Sequence, residues 1–158
     1  MKTTMYLILT IALTIGCTKQ NSSTIWDVGI DLLVVDTKGT DLLSPSNSGY
    51  IDVKKARVTY ILDNKEIAVH EPKLDCPTHF CLKSEGNRNS VAFLPNNTEK
   101  EEFPITLIYW PDNVIDTVKC HFIRLNGNVI CDKVWYNNVL KYPNEAVSGY
   151  QRAFKIIK

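Results

Sequence analysis

Hydrophobic and polar residues alternate along most of the chain after residue 24, which is the pattern of half-buried β-strands. From Ile25 onward, four apolar residues fall on one side of an extended strand: Val28, Ile30, Leu32 and Val34. Comparable stretches recur at short spacing, at residues 56–62, 67–70, 91–94, 103–110, 114–125, 128–136, 139–142 and 150–157. The pattern predicts eight to ten strands and no helix in this part of the chain.

Turn-forming residues between these stretches predict antiparallel hairpins. Asn126 and Gly127 both tolerate the positive φ that a two-residue type I′ turn requires, and they join the two longest stretches. Residues 63–66 and the pair Asn137-Asn138 mark two further turns. Between residues 71 and 89 the alternation lapses, and 83–89 is predicted to be a polar loop. Together these signals predict an all-β fold, an antiparallel β-sandwich.

Apolar residues that share a strand face are predicted to form the core of this sandwich. They are Val28, Ile30, Leu32, Val58, Tyr60, Leu107, Ile123, Val134, Phe154 and Ile156. Burying one such aliphatic side chain contributes roughly 1.5–3 kcal/mol to folding. We therefore expect these side chains to hold two sheets together.

The start of the chain has the three parts of a secretory signal. Lys2 gives a short positive region, residues 6–15 are apolar, and the small residue Gly16 precedes Cys17. The apolar run covers about ten residues, whereas a helix needs roughly twenty to cross the hydrocarbon core of a membrane. The segment therefore predicts export and not a transmembrane helix.

The residues before Cys17, Leu13-Thr14-Ile15-Gly16, together with that cysteine resemble a bacterial lipobox. The resemblance implies that Cys17 carries acyl chains such as palmitate and becomes the first residue of the mature protein. An ordinary cleaved secretory signal is the alternative. The polar residues that follow have the composition of a flexible tether. The predicted boundaries are a signal peptide at 1–16, the lipidated Cys17 with its tether at 17–24, and one domain at 25–158.

Size and charge limit the classes of partner. About 140 residues follow the signal, which is the size of one ordinary domain. The chain has 18 basic and 17 acidic residues, and neither sign forms a long run. Nucleic acid therefore has no electrostatic support as a partner. We expect a single monomeric domain.

Four segments resemble small lipoproteins of Bacteroides-type bacteria: 39–45 (GTDLLSP), 108–112 (IYWPD), 133–138 (KVWYNN) and 154–158 (FKIIK). Those proteins are similar to immunoglobulin-like sandwiches, so the resemblance implies that fold here, and it brings no catalytic residues to this chain. Thr18 follows the lipobox cysteine where enteric inner-membrane lipoproteins carry Asp. The resemblance therefore implies an outer-membrane anchor, with the periplasmic and the surface-exposed side both left open.

Catalytic motifs are missing from the sequence. It has no nucleophile elbow, Gly-rich phosphate loop, zinc-protease motif or dinucleotide fingerprint. His70, His79 and His121 fall on different predicted elements and are interpreted as strand or loop residues. We therefore expect no catalytic residue, no metal and no cofactor. A hydrolase that uses two carboxylates stays open, because such pairs meet only in three dimensions.

Aromatic residues near the turns are the candidate ligand contacts: Trp110, Tyr136 and Tyr142. Exposed Trp and Tyr rings can stack on sugars or pack on a partner protein. Filling the core is the competing interpretation, and it is the one we favour for Trp135. Trp110 lies directly before Pro111, so it is predicted to be exposed.

The chain has four cysteines besides Cys17: Cys76, Cys81, Cys120 and Cys131. In an exported chain an even number of cysteines is expected to pair, here in one of three connectivities. We favour Cys76–Cys81 and Cys120–Cys131, because a short connection joins each pair. A two-residue turn places Cys120 and Cys131 only diagonally adjacent, so their bond needs a bulge or a looser loop. A zinc site on these cysteines, with His79 or His121, is the alternative.

These expectations combine into a lipoprotein of the bacterial cell envelope that is attached to the lipid bilayer through Cys17. Its expected role is to bind or scaffold a protein or glycan partner without catalysis. One alternative is an accessory subunit of a surface fibre or uptake complex, in which an edge strand adds to a neighbour's sheet. A small envelope hydrolase is the remaining alternative.

Overall fold

A computed structural model describes residues 24–86 and 88–158. The predicted signal peptide, Cys17 and the tether before Thr24 lie outside these residues. The described chain forms eleven strands and one short 3-10 helix: β1 (Trp26–Asp27), β2 (Ile30–Val35), η1 (Val53–Lys55), β3 (Arg57–Leu62), β4 (Lys65–Ala68), β5 (Phe80–Glu85), β6 (Arg88–Phe93), β7 (Ile105–Tyr109), β8 (Ile115–Leu125), β9 (Asn128–Tyr136), β10 (Val139–Tyr142) and β11 (Ala153–Ile157). Within those two ranges no helix is long and apolar enough to cross a membrane.

Two sheets stack as a sandwich. The larger sheet has the strand order β1-β9-β8-β7-β3-β4, and β10 also pairs with β9. The smaller sheet has the order β11-β2-β6-β5. The all-β prediction is confirmed, with eleven strands where eight to ten were expected.

The purely antiparallel prediction is wrong, because both sheets are mixed. β1 pairs with β9 in parallel, and β11 pairs with β2 in parallel, whereas the other pairings are antiparallel. Tight turns impose antiparallel pairing only on strands that are neighbours along the chain. β1 and β11 are the first and last described strands and pair with strands far away in sequence, so no hairpin signal could set their direction.

The predicted hairpin turns are confirmed by their backbone angles. Asn126 and Gly127 have φ of 52° and 80°, as a type I′ turn requires. Asp63 and Asn64 have φ of 50° and 61°, and the two residues at 137–138 are also left-handed. These turns set the registers of β3 with β4, β8 with β9, and β9 with β10.

The predicted loop at 83–89 is wrong, because most of it belongs to a hairpin. β5 and β6 pair from Phe80 with Phe93 to Glu85 with Arg88. Residues 83–90 are polar apart from Gly86, and the smaller sheet needs only one apolar face. A strand with one solvated face and few apolar residues gives little alternation to detect.

Most of the predicted core is confirmed. Seven of the ten residues named are buried in the cluster between the sheets: Val28, Ile30, Leu32, Val58, Val134, Phe154 and Ile156. Tyr60 is partly buried and packs against that cluster, and Leu107 is half-buried. Ile123 is exposed, so its prediction is wrong. It follows Phe122, which points inward, and successive residues of a strand point to opposite faces.

A β-bulge changes the pairing of β8 with β9. His121 lies opposite Lys133, but Phe122 lies opposite Cys131, so Asp132 has no residue opposite it. Two strand residues then face one, which is the pattern of a bulge. It lets Cys131 and Val134, three residues apart, both point into the core.

Candidate functional site

Two adjoining depressions lie at one end of the sandwich, and together they form what we call the loop-end groove. The larger has a volume of about 790 Å³, and the smaller about 470 Å³. They share Lys55 and Pro111. The larger depression is lined by Asp36, Leu42, Ser48, Gly49, Tyr50, Ile51, Asp52, Lys55, Pro111, Asp112 and Lys158. The ends of β2, β7 and β11 and the start of β3 meet here.

A long loop between β2 and β3 builds one wall of the groove. Oδ1 of Asp36 accepts hydrogen bonds of 2.8 Å from the backbone of Lys38 and of Thr40, which closes the first turn. Gly49 has a φ of 84°, and a Cβ there would lie 3.3 Å from a methyl carbon of Leu42. This position therefore requires glycine. The loop is held by these local contacts and by an antiparallel bridge between Asp41 and Val35 at the end of β2.

Charges of both signs line the larger depression. Oδ1 of Asp52 accepts from the backbone of Lys54, and Oδ1 of Asp112 from Val114, each at 3.2 Å. Backbone N–H groups, chiefly that of Thr40, hold the pKa of Asp36 below its ordinary value. Two lysines, Lys55 and Lys158, line the same depression, and the ammonium group of Lys158 donates to Asp116. The surface can therefore accept and donate hydrogen bonds over a short distance.

Two tyrosines add ring surface to the loop-end groove. Tyr50 is 39 % exposed and lines the larger depression. Tyr109 lines the smaller one, and the guanidinium carbon of Arg57 lies 4.0 Å from the centre of its ring. The hydroxyl of Tyr109 donates to Glu66. Tyr109 is thus fixed by two neighbours, whereas the ring of Tyr50 is open to a ligand.

A buried carboxylate, Asp116, supports the floor of the groove. Nε1 of Trp110 donates to it at 2.7 Å, and Nδ2 of Asn137 donates at 2.6 Å. The hydroxyl of Tyr136 and the ammonium group of Lys158 also donate to it. We call Asp116 and these four donors the groove-end node.

Protonation of the groove-end node follows from these contacts. Burial works to raise the pKa of Asp116, but the donors, first Asn137, then Lys158 and Tyr136, outweigh burial and hold that pKa below its ordinary value. Burial, together with the Asp116 carboxylate, raises the pKa of Tyr136. Asp116 is therefore a carboxylate and Tyr136 a neutral donor at neutral pH.

The three candidate ligand contacts do not form one exposed surface. Trp110 is buried, so the prediction that its ring is exposed is wrong. Its ring packs edge-on against Phe80, with centroids 5.4 Å apart, and its nitrogen is used by Asp116. Tyr136 is also buried, and Tyr142 packs against the core. A turn after Trp110 does not expose it, because the turn folds the indole back between the sheets.

The cysteines follow the prediction in part. Cys76 and Cys81 form a disulfide with a Cα–Cα distance of 5.8 Å. Cys120 and Cys131 are free, buried thiols, so the predicted bond between them is not formed. The turn places Cys131 opposite Phe122, the bulge places Cys120 opposite Val134, and the two cysteines are not directly paired. Diagonal positions are wider apart than the roughly 3.5–4.5 Å between Cβ atoms that a disulfide needs.

A zinc site on the four cysteines is not supported, because the disulfide uses two of the proposed thiolates. Among the described residues no group of three or more His, Cys, Asp and Glu side chains could hold a metal ion. His79 is buried, and its Nδ1 lies 2.7 Å from the hydroxyl of Tyr60. Nδ1 of His121 lies 2.5 Å from Oδ1 of Asp132.

Comparisons with known proteins add no relative. No family model, curated protein or solved structure matches the chain.

Sequence reasoning missed the loop-end groove. Its accessible ring, Tyr50, and its lysines lie in or beside the loop that joins β2 to β3. One signal could have identified this loop: residues 36–52 have no strand pattern, and long loops without regular structure often carry function. Another was Asp116, which has the same inward parity as Val118 and Cys120. A carboxylate at an inward position calls for buried partners.

Proposed function

We propose that this protein is a monomeric, membrane-anchored, non-catalytic lipoprotein of the bacterial cell envelope that binds a glycan or protein partner through the loop-end groove. In this proposal the sandwich is of the immunoglobulin-like class, and acyl chains on Cys17 attach it to the outer membrane. The observation that carries the binding role is the groove itself, where the exposed ring of Tyr50 lies among carboxylates and lysines.

A glycan segment fits this chemistry best. Sugar hydroxyl groups both donate and accept hydrogen bonds, so they can pair with Asp52 and Asp112 as well as with Lys55. The apolar face of a sugar ring can pack on an exposed tyrosine, here Tyr50. Because the groove carries charges of both signs, a strongly anionic or cationic ligand meets repulsion as well as attraction there.

The bonding of the groove carboxylates supports a non-catalytic role. A glycoside hydrolase needs one carboxylic acid with a raised pKa to protonate the leaving group. The pKa of Asp36 is shifted in the opposite direction by backbone donors. Asp52 caps η1, and Asp112 bonds within its own turn. These contacts suit carboxylates that hold loops and bind a ligand.

Binding of the full-length acylated protein to immobilised envelope polysaccharides, peptidoglycan and envelope proteins tests the proposal. We expect Tyr50→Ala to weaken binding by about tenfold, because a central aromatic contact commonly contributes more than 1 kcal/mol. Phe103→Ala is the matched control, since Phe103 is also 39 % exposed and lies outside the groove. Binding that survives Tyr50→Ala, or that Phe103→Ala weakens equally, contradicts the proposal.

A second function is favoured by the edge of the larger sheet. All four residues of β4 are exposed, and in the described part of the chain β4 pairs with a strand on one side only. A partner strand could add there, as in a subunit of a surface fibre or uptake complex. β4 is short and carries Lys65 and Glu66, features that protect an edge from such pairing. A stoichiometric partner that stays bound after Tyr50→Ala would favour this second function.

A further inference from the structure

Exposed apolar side chains surround the point where the described chain begins. Trp26 is 61 % exposed and Leu125 is 64 % exposed, and Ile25 and Ile123 are exposed as well. We call these four residues the tether-end rim. Ile25 lies just before β1 and Trp26 at its start, and Ile123 and Leu125 lie at the end of β8, just before its hairpin turn. Single exposed apolar residues are ordinary, but a group of four at one place calls for an explanation.

Backbone contacts bring the members of the rim together. Trp26 pairs with Val129, and Leu125 pairs with Asn128. The backbone N–H of Ile25 donates to Oδ1 of Asn128 at 2.8 Å. The β8–β9 hairpin therefore lies beside the start of the described chain, and the four residues lie at the same end of the larger sheet.

The rim lies at the opposite end of the larger sheet from the loop-end groove. β8 starts next to the groove at Ile115 and ends in the rim at Leu125. Its eleven residues, at about 3.3 Å each, separate the two ends by about 33 Å.

The length of chain between Cys17 and Thr24 limits how far the rim can lie from the proposed lipid anchor. Seven residues lead from Cys17 to Thr24, and at most about 3.6 Å per residue they span no more than about 25 Å. A lipid anchor on Cys17 thus holds the rim close to the bilayer. Tryptophan is enriched where a protein meets the membrane surface, because its ring is apolar and its N–H is polar.

We propose that the tether-end rim contacts the lipid bilayer and so directs the loop-end groove away from the membrane. This inference rests on the proposed lipid anchor at Cys17. The rim inserts apolar side chains at the level of the headgroups, while β8 and β9 extend from the surface. The anchor supplies the attachment, and the rim supplies the orientation.

Fluorescence quenching tests the contact. The full-length acylated protein is placed in phosphatidylcholine vesicles with and without brominated acyl chains, which quench nearby tryptophans. We expect brominated lipid to lower the emission that depends on Trp26 by roughly twofold or more, because an interfacial tryptophan lies within reach of the chains. The emission that depends on Trp26 is the difference between wild type and Trp26→Phe.

A matched probe at the other end checks orientation. Ile115 is exposed beside the groove, and Ile115→Trp in the Trp26→Phe background places the same ring there. We expect brominated lipid to leave its emission unchanged. Equal quenching at both ends, or no quenching of Trp26, overturns the proposal.

Labelled palmitate separates this proposal from the one on which it depends. If the wild-type chain incorporates palmitate and Trp26 is not quenched, only the rim proposal is wrong. If the chain incorporates no palmitate, the anchor is wrong and the rim proposal fails with it. Incorporation of palmitate that Cys17→Ala abolishes, together with quenching of Trp26 alone, supports both.

Discussion

Each end of the larger sheet carries an ion pair, but the sign of the more deeply buried partner differs. At the groove end the buried group is the carboxylate of Asp116, whose residue is 3 % exposed. Near the rim it is the guanidinium of Arg152, whose side chain is 4 % exposed, while its partner Asp27 keeps 25 % of its side chain exposed. Arg152 reaches both carboxylate oxygens of Asp27 at 3.0 Å and donates to the carbonyl of Gly29 at 2.8 Å.

This difference in burial predicts how much the stability of each end depends on its ion pair. Asp116 is almost wholly buried and satisfies its oxygens with four donors from three separate segments. Removing it strands several buried donors at once. Asp27 can turn to solvent if Arg152 is lost, so the rim end should tolerate damage better. The same contrast suits the proposed roles, because a binding groove needs a rigid floor.

Asp116→Ala should have the largest effect. It leaves the indole N–H of Trp110, the hydroxyl of Tyr136 and the ammonium of Lys158 without their acceptor. Breaking a buried charged network by removing one partner costs about 3–5 kcal/mol of unfolding free energy. Urea unfolding followed by tryptophan fluorescence measures it.

Asp112→Ala is the control for this change. Asp112 is an exposed carboxylate four residues earlier in the same segment, and its one side-chain bond is to its own turn. We expect a loss of about 0.5 kcal/mol, as for an ordinary surface substitution. Similar losses for the two variants would mean that Asp116 is not the centre of the groove end.

Arg152→Met should have a smaller effect. Methionine keeps much of the apolar volume of the arginine stem, and the remaining carboxylate of Asp27 is partly in water. We expect a loss of about 2 kcal/mol in unfolding free energy, below the range for a fully buried partner. The same urea unfolding measures it.

Lys83→Met controls for the loss of a surface ion pair. Lys83 lies 3.5 Å from Asp31 with 39 % of its side chain exposed, and such pairs contribute about 0–1 kcal/mol. If Arg152→Met costs as much as Asp116→Ala, the two ends depend equally on their buried charges and the comparison fails.

Local signals in the sequence predicted the hairpins and most of the core. The turn at Asn126 and Gly127 needs only its own two residues to adopt left-handed angles. Alternation along β2 placed Ile30 and Leu32 correctly, because one face of that strand must be apolar. Such features depend on neighbours in the chain.

Features that depend on contacts between distant segments could not be predicted from local sequence patterns. The parallel pairing of β11 with β2 joins residues more than a hundred positions apart. Trp110 is buried where it packs against Phe80, and nothing around residue 110 indicates that contact. The bulge at Asp132 changed which residue lies opposite Cys120. The loop-end groove has the same origin, since it forms only where several strand ends meet.

Lowering the pH should have the smallest effect on stability, and it should act on one carboxylate at each end. The pKa values of Asp116 and Asp27 are both lowered, that of Asp27 chiefly by its hydrogen bond from Arg152. A carboxyl whose pKa is lower in the folded protein stabilises it above the unfolded pKa, near 3.8, and this stabilisation is lost as pH falls through the folded pKa. Stability should therefore decline below about pH 4, with at most about 1.4 kcal/mol per pH unit from each group.

The variants Asp116→Asn and Asp27→Asn show how much of this loss of stability comes from each end. Asparagine cannot titrate, so each variant should be less stable than wild type at pH 7 and should lose less stability between pH 5 and pH 2. We expect Asp116→Asn to flatten the pH dependence more, because protonation of Asp116 weakens hydrogen bonds from four donors, whereas Asp27 accepts from only Arg152 and Gln151. Urea unfolding at several pH values measures both slopes. A profile that Asp27→Asn flattens more would place the acid-sensitive charge at the rim end, against the comparison of the two buried groups.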